Sequence, residues 1–232
     1  MRKTFLAITL FLAFSKAALA QFGNCTASEM RTYVDSATGS TITMLTDTMK
    51  NDRFLYQTDP MWTADGKYLL FRSSSRGNDK EVESTLPNGE KRKWTPTQIY
   101  FIEMATGKII QATEGPNLGS AFLANKTNRM FVSRKEKENW NMYVMDLDKF
   151  FADVKQGKVG KPSAYETFIG TFPTEMGRPG GYAVDCNDDY AYITVEREGT
   201  EEEKERMMNN AFLPESNQPL KIKPRLFGIR KM

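Results

Sequence analysis

The sequence predicts an all-β protein, a β-propeller built of four-stranded antiparallel blades. The first observation behind this prediction is a segment that recurs at constant spacing. Its copies are "GKYLLFRSSS" from Gly66, "TNRMFVSRKE" from Thr127 and "DDYAYITVER" from Asp188. The matching residues Tyr68, Arg129 and Tyr190 are spaced by 61 residues in both intervals. A fixed period of this kind indicates repeated supersecondary units that stack side by side.

The second observation is a further strand-like run that follows each copy after a polar insert. These runs are "TQIYFIEMATGK" from Thr97, "WNMYVMDLDKF" from Trp140 and "PRLFGIRKM" from Pro224. They are rich in β-branched and aromatic residues, and Gly, Asn or Asp stands at the joints, as is typical of strands and their turns. Four antiparallel strands in each repeat form the blade of a propeller.

The elements of the first full unit follow in order along the chain. We predict an inner strand in "YQTDPMWT", a tight turn at Asp65-Gly66, a second strand in "KYLLFRS", a third in "QIYFIEM" and an outer fourth in "KIIQATEG". The charged, turn-rich insert from Asn78 to Pro96 is predicted to be a surface loop. A second insert, Thr200 to Phe212, begins with acidic residues and continues with Lys and Arg, which predicts a short helix on the outside of a blade.

The domain boundaries come from these repeats and from the first residues. Residues 1–20 carry Arg2 and Lys3, an apolar run and a final Ala-Leu-Ala, the pattern of a signal peptide, so we expect a periplasmic or secreted protein. No later segment has the length of apolar sequence that a membrane span needs. We predict an N-terminal segment at 21–40 and a partial propeller over 41–232. Its parts are a part blade at 41–56, full blades at 57–115 and 116–175, and an incomplete blade at 176–232 with the helical insert at 200–212.

The last predicted blade ends inside its third strand. A propeller closes by joining its first blade to its last, so about three blades leave open apolar flanks. We therefore expect this chain to be the front part of a longer protein whose remaining C-terminal blades complete the ring. The alternative that stays open is a natural short protein that buries its flank against a second copy.

Composition excludes several classes of site. The chain has no histidine, which excludes a histidine-based triad, a histidine general base and a histidine-ligated metal. Its formal charge of +3 gives no concentrated basic face for nucleic acid. Cys25 and Cys186 are its two cysteines, and the sequence leaves open whether they pair.

Four stretches resemble the oligogalacturonate lyase family, seven-bladed propellers of the same superfamily as the Tol-associated periplasmic propellers. They are "FLYQTDPMWTADGKYLLFRSSSRGN", "QIYFIEMATGKIIQATEGPNLGSAFL", "NMYVMDLDKF" and "GGYAVDCNDDYAYI". The resemblance implies β-elimination of pectin oligouronides with the help of a divalent metal such as manganese. The metal-binding and catalytic histidines of that family come from later blades and have no match here. No catalytic or metal-binding residue is therefore carried over, no cofactor is expected in this chain, and as given it is expected to be inactive.

The resemblance implies that this part of a propeller contributes to binding an acidic carbohydrate. The candidates lie on inner strands and top loops, which line the central funnel: Gln57, Asp59, Trp62, Arg72, Arg76, Arg178 and Tyr182. Arginine pairs with carboxylates in a bidentate manner, and aromatic faces stack on sugar rings. Two other functions stay open. One is a non-catalytic Tol-type periplasmic propeller that binds a ligand or another protein, and the other is a propeller associated with a peptidase domain.

Overall fold

A computed structural model describes residues 22–57, 59–77, 80–85, 89–137, 139–172, 178–196 and 225–230. For 178–181, 193–196 and 225–230 it describes the backbone only. The predicted helix at 200–212 lies outside the described residues. Antiparallel sheets make up nearly all of the regular structure.

The first sheet, blade 1, contains β4 (Asp52–Arg53), β5 (Tyr68–Ser73), β8 (Gln98–Glu103) and β9 (Ile109–Gln111) in that spatial order. A short N-terminal strand, β1 (Cys25–Thr26), adds to the outer edge beside β9. The two central strands are buried on both faces because each face packs against other parts of the chain. This explains why their sequences are continuously apolar rather than alternating.

The second sheet, blade 2, is a complete four-stranded blade. It runs from β10 (Leu118–Leu123) through β11 (Arg129–Glu136) and β12 (Asn139–Asp146) to β13 (Glu166–Phe172). The third sheet, blade 3, contains β14 (Arg178–Val184), β15 (Tyr190–Glu196) and β16 (Arg225–Arg230). The all-β fold class and the four-stranded blade are thus confirmed.

The 61-residue repeat has a structural counterpart in the turn before the second strand of each blade. Thr63, Ala124 and Asp185 each donate their backbone N–H to the carbonyl of the residue five positions later. Those acceptors are Tyr68, Arg129 and Tyr190, the first residues of β5, β11 and β15. In the first and third turns a residue adopts a positive φ, Gly66 in one and Asp188 in the other. The same six-residue turn therefore begins the second strand in all three blades.

The inner edge of blade 1 differs from the predicted strand at 56–63. β4 pairs with Arg72 and Ser73, and the chain returns to the sheet only at Trp62, which forms a single bridge with Leu69. The segment between these contacts contains Pro60, which has no N–H to donate to a sheet. Residues 54–57, 59 and 60 lie outside the sheet between these two contacts, in a segment that we call the bulge.

Two further predictions need correction. The residues predicted as a part blade at 41–56 include β3 (Thr41–Met44), which instead pairs with β2 (Arg31–Val34) in a separate hairpin. The charged insert predicted as a loop at 78–96 forms a second hairpin of β6 (Val82–Thr85) and β7 (Lys91–Trp94). Cross-strand pairing on a two-stranded ribbon is set by turn geometry, which charge and turn residues alone do not reveal.

A helix that the sequence analysis did not predict, α1 (Leu147–Gln156), follows β12. The Asp146 carboxylate accepts the N–H of Lys149 as its N-cap, and Gly157 ends it in the left-handed conformation. Its buried residues Leu147, Phe150 and Phe151 lie on one face, as spacings of three and four residues require. They join a core shared by blades 1 and 2. Within the described residues, no helix is long and apolar enough to span a membrane.

A buried carboxylate joins blade 2 to blade 3. Asp188 is only 1% exposed, and its carboxylate accepts the backbone N–H groups of Asn125, Lys126 and Thr127 at 2.7–2.8 Å. The Thr127 hydroxyl donates a further bond of 2.9 Å. Burial raises the pKa of Asp188, but these donors outweigh burial and hold the pKa below its usual value. The carboxylate thus fixes the turn of blade 2 against the turn of blade 3.

We expect the Asp188→Asn substitution to lower the free energy of unfolding by about 2 kcal/mol, because the amide removes the charge that strengthens these bonds. Asparagine tolerates the positive φ of this position, so backbone strain does not contribute. Because the folded pKa is depressed, the contribution of Asp188 is present above the unfolded pKa of about 4 and is lost as pH falls through the folded value. Urea unfolding at pH 7 and pH 3 measures both effects. Asp189→Asn at the exposed neighbouring position is the control, and an equal loss in both variants would contradict the assignment.

Candidate functional site

A cleft of about 960 Å³ lies on the inner edges of the blades. Blade 1 contributes residues from 51–59, 72–74 and 94–99, blade 2 contributes residues from 118–122, and Tyr182 of blade 3 completes the wall. Because the first strand of each blade lies at this edge, the cleft corresponds to the funnel side of a propeller. Its lining combines cationic, amide, hydroxyl and aromatic side chains.

Two arginines lie side by side on the wall formed by blade 1. Arg53 of β4 is the direct cross-strand partner of Arg72 of β5, and both line the cleft. Arg53 donates from its Nε to the Oδ1 of Asn51 at 3.2 Å. Arg72 is exposed, and its guanidinium makes no hydrogen bond or ion pair with any residue that the structure describes. Like charges directly opposite one another are unfavourable in a sheet, so this pair favours a bound anion.

The bulge after β4 supplies polar and aromatic groups beside the arginines. Tyr56, Gln57 and Asp59 all line the cleft. The bulge is held by a turn in which Asp59 donates its N–H to the carbonyl of Tyr56 at 2.8 Å. Because the bulge leaves the sheet, all three side chains reach the cleft, whereas a regular strand would turn alternate residues away from it.

The opposite wall is a tightly packed contact between blades 2 and 3. The Tyr182 hydroxyl lies 3.0 Å from Oγ of Ser133, which also accepts the N–H of Ser120 at 2.8 Å. Gly119 lines the cleft here, and a Cβ at this position would collide with the Trp140 ring and the Ser133 hydroxyl. The absence of a side chain at Gly119 therefore allows β10 to approach the neighbouring strand and keeps Tyr182 positioned at the cleft.

Only some of the predicted binding residues line the cleft. Gln57, Asp59, Arg72 and Tyr182 meet at the cleft. Trp62 is 47% exposed and lies outside the cleft lining. Arg178 lies in β14, and its side chain is outside the described residues.

Arg76 lies in a cluster of ion pairs and is not among the residues that line the cleft. Its side chain is 6% exposed, and its guanidinium makes two bidentate pairs. Nε and Nη2 donate to Asp52 at 2.8 and 2.6 Å, while Nη1 and Nη2 donate to Glu29 at 2.9 and 2.6 Å. Burial opposes the charge, yet these bonds hold the pKa of Arg76 above its usual value. The hydrogen bond from Arg76 in turn holds the pKa of Glu29 below its usual value.

The cleft residues that the sequence analysis did not predict include Arg53, Tyr56 and Trp94. Arg53 could have been found only from the correct position of the inner strand, because its pairing with Arg72 depends on that register. Trp94 lies at the end of the charged insert, shortly before the next strand of the blade. A lone aromatic residue at that position was the sequence signal that could have indicated a cleft residue.

The described residues do not fit a metal site. Among them, no group of three or more Asp, Glu or Cys side chains converges in a way that could hold an ion, and histidine is absent from the whole sequence. Cys25 and Cys186 are both exposed and unpaired with one another. Burial raises the pKa of the Cys25 thiol, which disfavours the thiolate form that binds metals. No chemical step of this chain is therefore derived through a metal.

We expect the Arg76→Met substitution to cost about 3 kcal/mol of unfolding free energy at pH 7, since it leaves two partly buried carboxylates without their cation. In the wild type the depressed pKa of Glu29 makes its contribution present at neutral pH and lost as pH falls through the folded value. In the variant, protonation relieves the repulsion, so the deficit relative to wild type shrinks between pH 7 and pH 4. Urea unfolding across this range measures the difference.

The control for this prediction is Lys91→Met, which removes an ion pair to Glu83 whose lysine side chain is 70% exposed. It should change the unfolding free energy by less than about 1 kcal/mol. A pH-independent deficit in Arg76→Met, or one no larger than in the control, would contradict the structural role of Arg76.

Comparison with known proteins shows the fold alone. Neither a protein-family model nor a curated protein sequence matches the chain. Among solved structures, an oligogalacturonate lyase in complex with manganese matches 81% of this chain and 42% of its own, with a TM-score of 0.53 and 18% identity. An oligogalacturonate lyase from Vibrio parahaemolyticus matches 77% of this chain and 39% of its own, with a TM-score of 0.53 and 20% identity.

The chain thus spans about two fifths of the length of the solved structures that it resembles. At this level of identity the likeness concerns the arrangement of strands, so it confirms the predicted resemblance in fold. The chemistry of the cleft is argued from the residues of this chain. The described part of this chain is an all-β array of propeller-type blades with the fold found in oligogalacturonate lyases.

Proposed function

We propose that the cleft binds the carboxylates of a short oligouronide, as part of a propeller of the oligogalacturonate lyase type. The observation that carries the proposal is the opposed pair Arg53 and Arg72 on the cleft wall. The second support is the likeness in fold to two oligogalacturonate lyases.

The opposed arginines suit a carboxylate for electrostatic and geometric reasons. Two guanidinium groups on directly opposite residues repel one another until an anion lies between them. A planar carboxylate accepts parallel N–H bonds from guanidinium, and these charge-assisted bonds are among the strongest in proteins. A uronate carries one such carboxylate on each sugar, so adjacent sugars present repeated charges to the pair.

The rest of the cleft suits a sugar. Its volume of about 960 Å³ lies at the upper end of typical ligand pockets, which accommodates a chain of a few rings. Gln57 and Asp59 offer partners for sugar hydroxyls, while Tyr56 and Trp94 offer aromatic faces. Tyr182 is positioned at the wall through its hydroxyl contact with Ser133.

Cleavage by β-elimination is proposed for the whole lyase-type protein. The reaction removes the proton on the carbon next to the uronate carboxylate and expels the glycosidic oxygen, leaving an unsaturated product. Neutralising the carboxylate makes that proton more acidic, and the Arg53–Arg72 pair would contribute to this neutralisation in the cleft. We assign no catalytic base among the described residues. Export to the periplasm or the medium is part of the proposal, supported by the pattern of residues 1–20.

A second candidate function, a non-catalytic module that binds another protein, is favoured by the hairpin of β2 and β3. Tyr33, Val34 and Ile42 on this hairpin are 49%, 65% and 38% exposed. Apolar residues clustered on an exposed two-stranded ribbon are typical of protein contacts. The two functions differ in their dependence on the arginine pair, because only the first requires it.

We expect Arg72→Gln to weaken binding of tetragalacturonate about tenfold or more, because a charge-assisted bidentate bond is replaced by at most one neutral bond. Isothermal titration calorimetry at low and at moderate salt measures the affinity. The loss of affinity caused by the substitution should be smaller at moderate salt, because salt screens the charges. Arg31→Gln on the exposed β2 strand is the matched control and should bind as wild type does. The neutral methyl ester of the same oligosaccharide should bind much more weakly than the acid.

Two outcomes would overturn the proposal. One is a wild-type protein that binds neither tetragalacturonate nor shorter uronates. The other is equal affinity of wild type and Arg72→Gln for the acidic oligosaccharide, which would show that the arginine pair does not hold the carboxylate.

A further inference from the structure

The hairpin of β6 and β7 extends from the cleft between the second and third strands of blade 1. Its last residue, Trp94, is half-buried and lines the cleft. The two strands pair in the register Val82 with Trp94, Glu83 with Lys93, Ser84 with Arg92 and Thr85 with Lys91. The hairpin is therefore a two-stranded arm whose base forms part of the cleft.

Strand alternation divides the arm into two faces. Directly opposite residues share a face, and successive residues point to opposite faces. One face, here the cleft-side face, carries Val82, Ser84, Arg92 and Trp94, since Trp94 lines the cleft. The other, the outer face, carries Glu83, Thr85, Lys91 and Lys93.

The two faces differ in electrostatics. On the outer face Lys91 forms an ion pair of 2.8 Å with Glu83, which also lies directly opposite Lys93. On the cleft-side face Arg92 lies directly opposite Ser84, whose hydroxyl donates to the Arg92 carbonyl at 3.4 Å. Ser84 has no charge, so it does not balance the charge of the Arg92 guanidinium. Arg92 is exposed and makes no ion pair with a described residue. The cleft-side face therefore carries an uncompensated positive charge.

The faces also differ in burial. Val82, Ser84 and Trp94 are half-buried, whereas the outer-face residues are exposed. Arg92 and Trp94 are two residues apart on β7, which places them about 7 Å apart along the strand. On the cleft-side face Trp94 thus offers an aromatic ring at the cleft, and Arg92 offers a cation farther out along the same strand.

We propose that the β6–β7 hairpin is a binding arm that selects longer anionic oligosaccharides. Trp94 stacks on a sugar ring at the rim of the cleft, and Arg92 pairs with a carboxylate one or more sugars beyond the unit held by Arg53 and Arg72. This inference rests on the proposed function, because it names the chain length that the same cleft prefers. Short oligomers reach the arginine pair only, whereas longer ones gain the contacts of the arm.

The test compares digalacturonate with hexagalacturonate by calorimetry for wild type, Arg92→Gln and Lys91→Gln. Lys91 is the matched control because it lies on the outer face of the same strand, and its loss removes the same charge. We expect wild type to bind the hexamer at least tenfold more tightly than the dimer. Arg92→Gln should lose most of that advantage and keep the dimer affinity, while Lys91→Gln should leave both affinities within about twofold.

The outcomes separate the two proposals. If wild type binds neither oligomer, the proposed function fails and the arm with it. If it binds both equally, or if Arg92→Gln and Lys91→Gln lose hexamer affinity alike, the arm is contradicted while uronate binding in the cleft stands. Equal weakening of dimer and hexamer by Arg92→Gln also overturns the arm. A Trp94→Phe variant adds an independent readout, because stacking on Trp94 predicts a change in its fluorescence with hexamer that this variant lacks.

Discussion

The packing of blade 1 against blade 2 is the constraint on which the cleft depends. The Phe151 ring of α1 stacks on Tyr68 with centroids 3.6 Å apart and meets Phe101 edge-on at 5.1 Å. Both partners belong to central strands of blade 1, whereas the helix belongs to blade 2, so these rings fix the distance between the two sheets. Burying large aromatic rings between neighbours contributes several kcal/mol and tolerates little displacement. The inner edges that line the cleft therefore keep a fixed separation.

Local irregularity at the inner edge supplies the chemistry. A propeller needs only regular strands for stability, yet here the first strand of blade 1 contains two residues before the chain leaves the sheet at a segment that includes Pro60. The short pairing is enough to set Arg53 against Arg72. The bulge that follows adds Gln57 and Asp59 to the same wall. The candidate binding groups are thus concentrated where the strand pairing of blade 1 is interrupted, and the regular strands of the blades hold them in place.

Features that follow from the repeat period and from residue alternation, such as the second strand of each blade, could be predicted from the sequence. Features that depend on strand register, helix caps or long-range contacts could not. The 61-residue spacing located the second strand of every blade because each copy repeats the same turn. Helix α1 was missed because its first turn continues the apolar run of β12, and only the caps Asp146 and Gly157 mark its limits. The sequence did not reveal the ion pairs of Arg76, because its acidic partners Glu29 and Asp52 are distant in sequence. Long-range ion pairs leave no local pattern that composition or periodicity could reveal.

The central claim is that the opposed arginines hold a uronate carboxylate. A crystal structure of the protein with trigalacturonate tests it most directly. The account predicts a sugar carboxylate with oxygens about 2.7–2.9 Å from the guanidinium nitrogens of both Arg53 and Arg72, with the chain directed along the cleft toward Trp94. A trisaccharide bound elsewhere, or a cleft that stays empty of sugar at a concentration that saturates binding in solution, would contradict it.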